Sequence, residues 1–218
     1  MNRSSTPQTI GILALQGDVV EHIEHFARLD VTCRPVRRAE EMENLAGLVI
    51  PGGESTCLYR LMSIFGLDDA IRRRVDAGMK VWGTCAGAIL AADDVVGEGG
   101  KLGLVRMTVE RNAFGSQLDS FHDQAEIPRL GPGMFPLTFI RAPKILDVGD
   151  DVDVLLRMQD FIAMAESERV LATVFHPELT PCLAVHRYFA EKCGVSTRDP
   201  SADDDWDMTS WTQLCRVD

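Results

Sequence analysis

The residue with the clearest potential for chemistry is a cysteine between two glycines, in Gly83-Thr84-Cys85-Ala86-Gly87. An apolar run typical of a buried strand precedes it, and a helical pattern follows it. This arrangement is typical of a nucleophile elbow, in which a cramped turn holds the reactive side chain at the tip of a strand. The next N–H then faces a developing oxyanion, and the helix N-terminus favours the thiolate. The alternative interpretation is a buried cysteine in a glycine-rich turn.

His176 and Glu178 are candidates for the general base and the carboxylate that a cysteine nucleophile needs. They follow an apolar strand pattern at 170–175, and Pro177 disfavours helical geometry at His176. We therefore expect 176–178 to be extended, so that the two side chains point the same way. The carboxylate would fix the imidazole tautomer, and the imidazole would accept the thiol proton. The alternative is an ordinary surface pair, and the position after a strand favours the catalytic interpretation.

The turn Pro51-Gly52-Gly53-Glu54-Ser55 lies between a strand pattern and a helix pattern. Its glycines let the backbone approach a ligand closely and present an N–H to an oxyanion. Glu54 is suited to pair with an ammonium group. The alternative is a tight turn in which Ser55 caps the following helix.

An alternation of strand and helix patterns must position these residues. The predicted strands are 9–15, 31–36, 48–50, 79–84, 108–111, 137–142, 153–158, 160–166 and 170–175, and the predicted helices are 18–29, a pair across 55–77, 86–92 and 181–193. The alternation predicts an α/β fold: a single-domain, doubly wound, mostly parallel sheet of flavodoxin-like type, with some antiparallel strands in the second half. Ligands bind beyond the carboxyl ends of such strands, which points to the loops after residues 15, 50 and 84. For the last helix, we expect Thr180 as the N-cap and Pro181 in the first turn.

Charge and hydropathy exclude several classes of protein. The net charge of −11 argues against nucleic acid or an anionic membrane as a partner. No apolar run approaches the ~20 residues that span a bilayer, and the polar start is unlike a signal peptide, so we expect a cytoplasmic protein. We predict a disordered N-terminus at 1–8, one domain at 9–195 and an acidic tail at 196–218. The last twenty residues carry six aspartates and one arginine.

The remaining cysteines and histidines form no metal-binding or disulfide pattern. There is no CxxC among the six cysteines, so we expect neither a disulfide framework nor a zinc site. His22 and His25 lie three residues apart on the first predicted helix. We interpret them as surface residues, with a role in a protein interface as the alternative, and His122 and His186 as structural.

Six segments, in order along the chain, carry a resemblance to class I, triad-type glutamine amidotransferases. They resemble most closely the glutaminase subunits of pyridoxal 5′-phosphate synthases. The segments are LALQGD (13–18), PGGEST (51–56), GTCAGAIL (83–90), TVERNAFGSQLDSF (108–121), FIRAP (139–143) and FHPEL (175–179). Together they span about residues 10–190, so that the predicted domain 9–195 would be a glutaminase domain.

The resemblance implies a role for each matching residue. Cys85 would be the nucleophile, His176 the base and Glu178 the orienting carboxylate. The residues implied in glutamine binding are Gly53, Glu54, Ser55, Arg111, Ile140 and Arg141. An arginine can grip the α-carboxylate of glutamine in a bidentate manner, while Glu54 meets the α-ammonium group.

The resemblance also implies an oxyanion hole and a partner. The N–H groups of Gly53 and Ala86 would form the hole, and Gln16 and Gly17 would form an activation loop beside it. The implied partner is a synthase subunit with a (β/α)8 barrel, in a hetero-oligomer that channels ammonia from glutamine to the barrel. We expect no metal or organic cofactor in this subunit.

Three alternative functions stay open at this point. The chain could be a glutaminase that serves another synthase, such as the one in histidine biosynthesis. It could be a cysteine hydrolase of another family with an elbow cysteine in a similar sheet, although that leaves PGGES and FHPE unexplained. It could also be a catalytically idle regulatory partner, against which the intact set of Cys85, His176, Glu178 and Gly53 argues.

Overall fold

The computed structural model of the chain describes residues 8–111 and 120–198. The predicted tail therefore lies outside the described residues from position 199 onward, and the predicted disordered N-terminus lies outside them up to position 7. The middle of the TVERNAFGSQLDSF segment, 112–119, also lies outside them. The division of the chain at residues 9 and 195 stays a prediction.

Twelve strands and five α-helices form the described part of the chain. The strands are β1 Thr9–Leu13, β2 Cys33–Val36, β3 Leu45–Ile50, β4 Lys80–Thr84, β5 Ala92–Val95, β6 Val105–Glu110, β7 Ser120–Glu126, β8 Met134–Ile140, β9 Lys144–Val148, β10 Asp153–Arg157, β11 Ile162–Glu166 and β12 Val170–Thr173. The helices are α1 Val19–Arg28, α2 Ser55–Ile64, α3 Leu67–Asp76, α4 Ala86–Ala91 and α5 Ala184–Lys192. Among these described helices, none combines the length and the apolar character needed to cross a bilayer.

The main sheet has the order β2-β1-β3-β4-β12-β11-β9-β6-β5, and β10 also pairs with β11. The first five strands in this order, which are β2, β1, β3, β4 and β12, are parallel to one another. Beyond β12 the pairing becomes antiparallel, except for the parallel pair of β5 and β6. A separate hairpin of β7 and β8 completes the fold. The predicted α/β class, with antiparallel strands in the second half, is confirmed.

Helices cover both faces of the parallel part of the sheet. Side chains alternate between the faces along β3: Leu48 and Ile50 pack in one apolar cluster, and Val49 packs in the other. The cluster that contains Leu48 is covered by α2 and α3, and the cluster that contains Val49 is covered by α1 and α5. Because β3 is fully buried on both sides, it reads in the sequence as a continuous apolar run.

The start of the last helix and three strands differ from the predictions. Helix α5 begins at Ala184, with Leu183 as its N-cap, so the prediction of Thr180 as the cap is wrong. The Thr180 hydroxyl instead donates to the carbonyl of Pro177 at 2.8 Å and ends a preceding 3₁₀ turn. Strands β5, β7 and β9 had no predicted counterpart, because their polar and apolar residues do not form a distinctive pattern.

Deletion of residues 199–218 is expected to leave the thermal stability of the protein nearly unchanged. The tail carries six aspartates in twenty residues and is too polar to bury much apolar area. Changes outside packed regions cost within about 0.5 kcal/mol, which for a domain of this size corresponds to a melting shift of at most about 2 °C. Differential scanning calorimetry of the full-length protein and of the truncated protein measures the difference in melting temperature. A decrease of several degrees would instead mean that Trp206 or Trp211 packs on the domain.

Candidate active site

Three neighbouring parallel strands end together and bring the three predicted motifs to one edge of the sheet. In the register of the sheet, Ile50 of β3 lies opposite Gly83 of β4, and Thr84 lies opposite Thr173 of β12. The backbone N–H of Cys85 donates to the carbonyl of Thr173 at 2.8 Å. The loops that follow β3, β4 and β12 therefore meet at this edge, as expected for a site beyond the carboxyl ends of parallel strands.

Cys85 occupies a strained turn between β4 and α4. Its backbone has φ 47° and ψ −103°, a conformation that non-glycine residues adopt at a cost of about 1–3 kcal/mol. Gly87 allows the turn to pack tightly, because a Cβ atom there would lie 2.0 Å from the carbonyl oxygen of Ile50. The thiol lies 3.9 Å from the carbonyl oxygen of Ile140, at the end of β8. The geometry is that of a nucleophile elbow.

His176 and Glu178 form a buried pair beside Cys85. The Nδ1 atom of His176 lies 2.7 Å from Oε1 of Glu178, and both residues are almost fully buried. The backbone N–H of His176 donates to the carbonyl of Thr138 at 2.8 Å, which anchors the loop to β8. The expectation of an extended 176–178 segment is wrong: Pro177–Leu179 forms a 3₁₀ turn, which carries the carboxylate back to the imidazole.

The electrostatics of this pair favour a protonated imidazole next to an ionised carboxylate. Burial by itself lowers the pKa of His176, but the charge of Glu178 and interactions with Asp18 and Cys85 outweigh it and hold this pKa well above its usual value. Burial by itself raises the pKa of Glu178, yet His22 and His176 lower it to about 2. The imidazolium that forms when a thiol gives up its proton is therefore stabilised.

The turn after β3 carries Gly53, with φ 148°, and Glu54. Glu54 is the N-cap of α2, and its carboxylate accepts the N–H groups of Thr56 at 2.9 Å and Cys57 at 2.7 Å. These two hydrogen bonds hold the pKa of Glu54 below its usual value. The alternative in which Ser55 caps the helix is therefore wrong. A carboxylate already bound to the backbone is fixed in place at the mouth of the site.

The Gln16 turn packs directly on this glycine turn. The side-chain oxygen of Gln16 accepts the N–H of Glu54 at 3.2 Å. At Gly17, where φ is 101°, a Cβ atom would lie 1.8 Å from the carbonyl oxygen of Gly52. No side chain fits between the two turns, which are in direct contact.

A cleft of about 400 Å³ joins these elements. Its lining residues are Gln16, Asp18, Glu21, Gly53, Glu54, Ser55, Cys85, Ala86, Ile89, Arg111, Ile140, Arg141, His176 and Leu179. All the residues predicted for glutamine binding and for the oxyanion hole belong to it. Glu178 lies behind His176, and Gly17 lies behind Gln16, so neither lines the cleft. Arg111 is held at its edge by Glu98 at 2.7 Å and by the Thr56 hydroxyl at 3.2 Å.

One group of side chains in the described residues has the composition of a metal site. Atoms of Asp18, His176 and Glu178 lie within 4.8 Å of one another. The Nδ1 atom of His176 faces both carboxylates, at 3.4 Å from Asp18 and 2.7 Å from Glu178. A metal ion there would replace the Nδ1 proton that these carboxylates hold, so we assign the group to orienting the imidazole.

Comparison with known proteins decides the family. Residues 12–195 match the model of the SNO glutamine amidotransferase family. The chain belongs to the SNO glutamine amidotransferase family.

Relatives of this glutamine amidotransferase match it over most of their length. A protein of Syntrophus aciditrophicus named pyridoxal 5′-phosphate synthase subunit PdxT is 54% identical over 214 residues, 96% of each chain. A protein of Thermus thermophilus with the same name is 46% identical over 189 residues, 85% of this chain and 98% of its own. A crystal structure described as a glutamine amidotransferase superposes with a TM-score of 0.81 at 45% identity, over 85% of this chain and 99% of that one.

These matches differ at the acidic tail of the amidotransferase. The last twenty residues are about a tenth of the chain, so a match over 96% of it extends beyond residue 198. The Thermus relative is matched over nearly its whole length while leaving 15% of this chain unmatched. The tail is therefore a feature that this amidotransferase shares at least in part with the Syntrophus relative.

Sequence reasoning missed two groups next to His176 and Glu178 of the amidotransferase. His22 and His25 were expected at the surface, but their exposed fractions are 0% and 1%. Helical spacing could have indicated this, because Val19, His22 and Phe26 lie on one face of α1. Asp18, whose carboxylate lies 3.4 Å from Nδ1 of His176, was also missed. Nothing in its local sequence distinguishes it from an ordinary residue before a helix.

Proposed function

We propose that this amidotransferase is the glutaminase subunit of a pyridoxal 5′-phosphate synthase, in which it hydrolyses L-glutamine to L-glutamate and supplies ammonia to a synthase subunit. The observation that carries the proposal is the meeting of Cys85 and His176 in one cleft, with Glu178 hydrogen-bonded to His176 behind it, in a chain 54% identical to a protein of that name. The proposed partner is a (β/α)8-barrel subunit, and the proposed location of the complex is the cytoplasm.

The first half of the proposed reaction forms a thioester. His176 takes the proton of the Cys85 thiol, and the sulfur attacks the carboxamide carbon of glutamine. The N–H groups of Gly53 and Ala86 stabilise the negative charge on the carboxamide oxygen. His176 then gives its proton to the departing nitrogen, so that ammonia leaves and a glutamyl thioester remains on Cys85. Glu178 keeps the imidazole in the required tautomer throughout.

The second half releases glutamate. His176 accepts a proton from water, and the resulting hydroxide attacks the thioester carbon. The same two N–H groups stabilise the second oxyanion, and its collapse breaks the C–S bond and returns the proton to the sulfur. Every proton transfer uses Nε2 of His176, which is buried and has no hydrogen-bond partner among the described residues.

Substrate binding in this proposal uses the two charged groups at the mouth of the cleft. Arg111 would bind the α-carboxylate of glutamine, and Glu54 the α-ammonium group. The two side chains lie 3.6 Å apart, so together they match the paired charges of an amino acid. Ile140, Arg141 and Ser55 would close the remaining sides.

The proposed partner would act through the Gln16 turn. An oxyanion hole works only when its donors are already aimed at the developing charge, and one lost donor costs about 10²–10³ in rate. Because the Gln16 side chain binds the N–H of Glu54, it holds the peptide that follows Gly53. A partner that docks on this turn would hold Gly53 in place, and with it the N–H of the preceding peptide, and so prevent ammonia from being wasted.

Glutamine hydrolysis is therefore expected to rise by about 10²-fold when the synthase subunit is added. The measurement is a glutaminase assay with and without that subunit, together with pyridoxal phosphate formation from glutamine. Gln16→Ala should reduce the activation by about tenfold while the KM for glutamine stays within about twofold, since one positioning hydrogen bond is lost. Gln124→Ala, at an exposed glutamine of β7 outside the cleft, serves as the matched control.

Two outcomes would count against these statements. A complex that makes no pyridoxal phosphate from glutamine would contradict the proposed function. Co-purification with a different synthase would mean that the chain supplies ammonia to that synthase instead. Full hydrolysis by the lone chain, unchanged by the partner, would refute the activation by docking but not the triad.

A further inference from the structure

We infer that His22 and His186 are positioning residues of the catalytic site, which form a line of buried side chains behind Glu178 and hold its second carboxylate oxygen. The inference deepens the proposed function, since it concerns the same triad. It adds two further side chains, one from α1 and one from α5, to the series of contacting residues Cys85, His176 and Glu178.

The line is defined by close contacts between fully buried groups. The Nε2 atom of His22 lies 3.6 Å from Oε2 of Glu178 and 3.5 Å from the hydroxyl of Thr84. On its other side, Nδ1 of His22 lies 2.9 Å from Nε2 of His186. His22 and His186 are both 0% exposed. The distance to Glu178 is slightly longer than a formed hydrogen bond, and the inference requires this contact to shorten when substrate binds, as catalytic contacts often do.

Hydrogen-bond counting determines which nitrogen of each ring carries the proton. Oε2 of Glu178 and Nδ1 of His186 have no hydrogen-bond partner among the described residues. If His22 carries its proton on Nε2, that N–H faces Glu178, and His186 donates from Nε2 to Nδ1 of His22. His186 then leaves an unprotonated nitrogen, rather than an N–H, without a partner, and unpaired buried acceptors are less rare in proteins than unpaired buried N–H groups.

The opposite assignment leaves a buried donor without an acceptor. If His22 donates from Nδ1 to His186, its unprotonated Nε2 faces the negative charge of Glu178 and can accept only from the Thr84 hydroxyl. The remaining proton of His186 must then sit on Nδ1, as a buried N–H without an acceptor, and burying an unpaired donor is costly. The contacts therefore select the Nε2–H tautomer for both histidines.

A neutral donor suits the position behind Glu178. Burial lowers the pKa of His22 to about 4 and holds the pKa of His186 well below its usual value, so both rings are neutral near pH 7. A neutral N–H fixes the orientation of the carboxylate without cancelling the charge that stabilises the imidazolium of His176. Trp82 packs edge-on against both rings, at 5.2 Å from His22 and 4.8 Å from His186, and keeps them in place.

The tautomers can be read directly by long-range ¹H–¹⁵N correlation NMR of the ¹⁵N-histidine-labelled wild-type chain at pH 7. Both His22 and His186 are expected to be neutral and protonated on Nε2. Assignment uses His22→Gln and His186→Gln, each of which removes one set of signals. A neutral His22 protonated on Nδ1, or a charged His22, would overturn the inference. This measurement requires neither glutamine turnover nor the partner, so it stands even where the proposed function fails.

Kinetics of the complex with the synthase subunit test the positioning role. His22→Leu keeps the volume but removes the donor, and is expected to lower kcat for glutamine hydrolysis about tenfold with KM within about twofold. His22→Gln places an amide N–H near the position of Nε2 and is expected to recover kcat to within about threefold of the wild type.

Ile71→Ala is the matched control for lost stability, because Ile71 is fully buried in α3 on the opposite face of the sheet. We expect it to lower the melting temperature without changing kcat. Equal losses of kcat in His22→Leu and His22→Gln, or a loss in His22→Leu no larger than in Ile71→Ala, would show that His22 acts through packing alone and would overturn the inference.

Discussion

Cys85→Ala is expected to abolish glutamine hydrolysis while the protein remains folded and bound to its synthase partner. The substitution removes one sulfur at a strand tip and leaves the strained turn in place. None of the other cysteines in the described residues occupies such a turn; they are Cys33, Cys57, Cys182 and Cys193. Loss of a covalent nucleophile typically costs about 10⁶-fold in kcat, so the remaining rate should be at the detection limit.

The complex that contains Cys85→Ala should still form pyridoxal phosphate when ammonium salt replaces glutamine. This second measurement separates a lost nucleophile from a lost complex. Cys57→Ala, at an exposed cysteine of α2, is the matched control and should keep wild-type hydrolysis. Hydrolysis near the wild-type rate in Cys85→Ala would refute the assignment of the nucleophile.

Glu178→Gln is expected to lower kcat by about 10⁴-fold, the size seen when the carboxylate of a triad becomes an amide. The N–H of His22 faces one end of this side chain and favours the amide oxygen there. The amide NH₂ group then faces Nδ1 of His176 and forces the imidazole proton onto Nε2. In that tautomer the imidazole cannot accept a proton from Cys85.

The measurement for Glu178→Gln is steady-state kinetics of the complex, with kcat and the KM for glutamine determined separately. KM should change little, because Glu178 does not line the cleft. Glu24→Gln, at an exposed carboxylate of α1, is the control for the loss of one negative charge. A kcat within about tenfold of the wild type would mean that Glu178 does not orient the base.

Much of the fold, and the proximity of Cys85, His176 and Glu178, could be predicted because their signals are local. Strands such as β3 are buried on both faces, and this leaves a continuous apolar run in the sequence. Gly87 is required by the close approach of the elbow to Ile50, and Gly83 by the close approach of the strand to Gly87. The proline after His176 follows the end of a strand. Parallel order then follows from the alternation with helices, and it places the three motifs at one edge.

The parts that were missed depend on contacts between distant segments. His22 looks like an ordinary helix residue until α5 brings His186 against it, 164 positions along the chain. Strand β9 is short and mixed in composition, and it is defined by its pairing with β6 and β11. The turn at 177–179 curls because the loop is fastened to β8 through Thr138, a constraint that Pro177 alone does not reveal.

The contact between Gly17 and Gly52 has a thermodynamic consequence. Because the two turns are in direct contact, we expect the conformation of the outer turn and that of the turn beside the substrate to be coupled. Linkage is reciprocal. If a ligand bound at the outer turn raises the affinity of the cleft for its ligand by some factor, the ligand in the cleft raises the affinity at the outer turn by the same factor. A synthase subunit that docks on the outer turn and tightens glutamine binding would therefore itself be held more tightly while glutamine is present, and it would be released more readily once the cleft is empty.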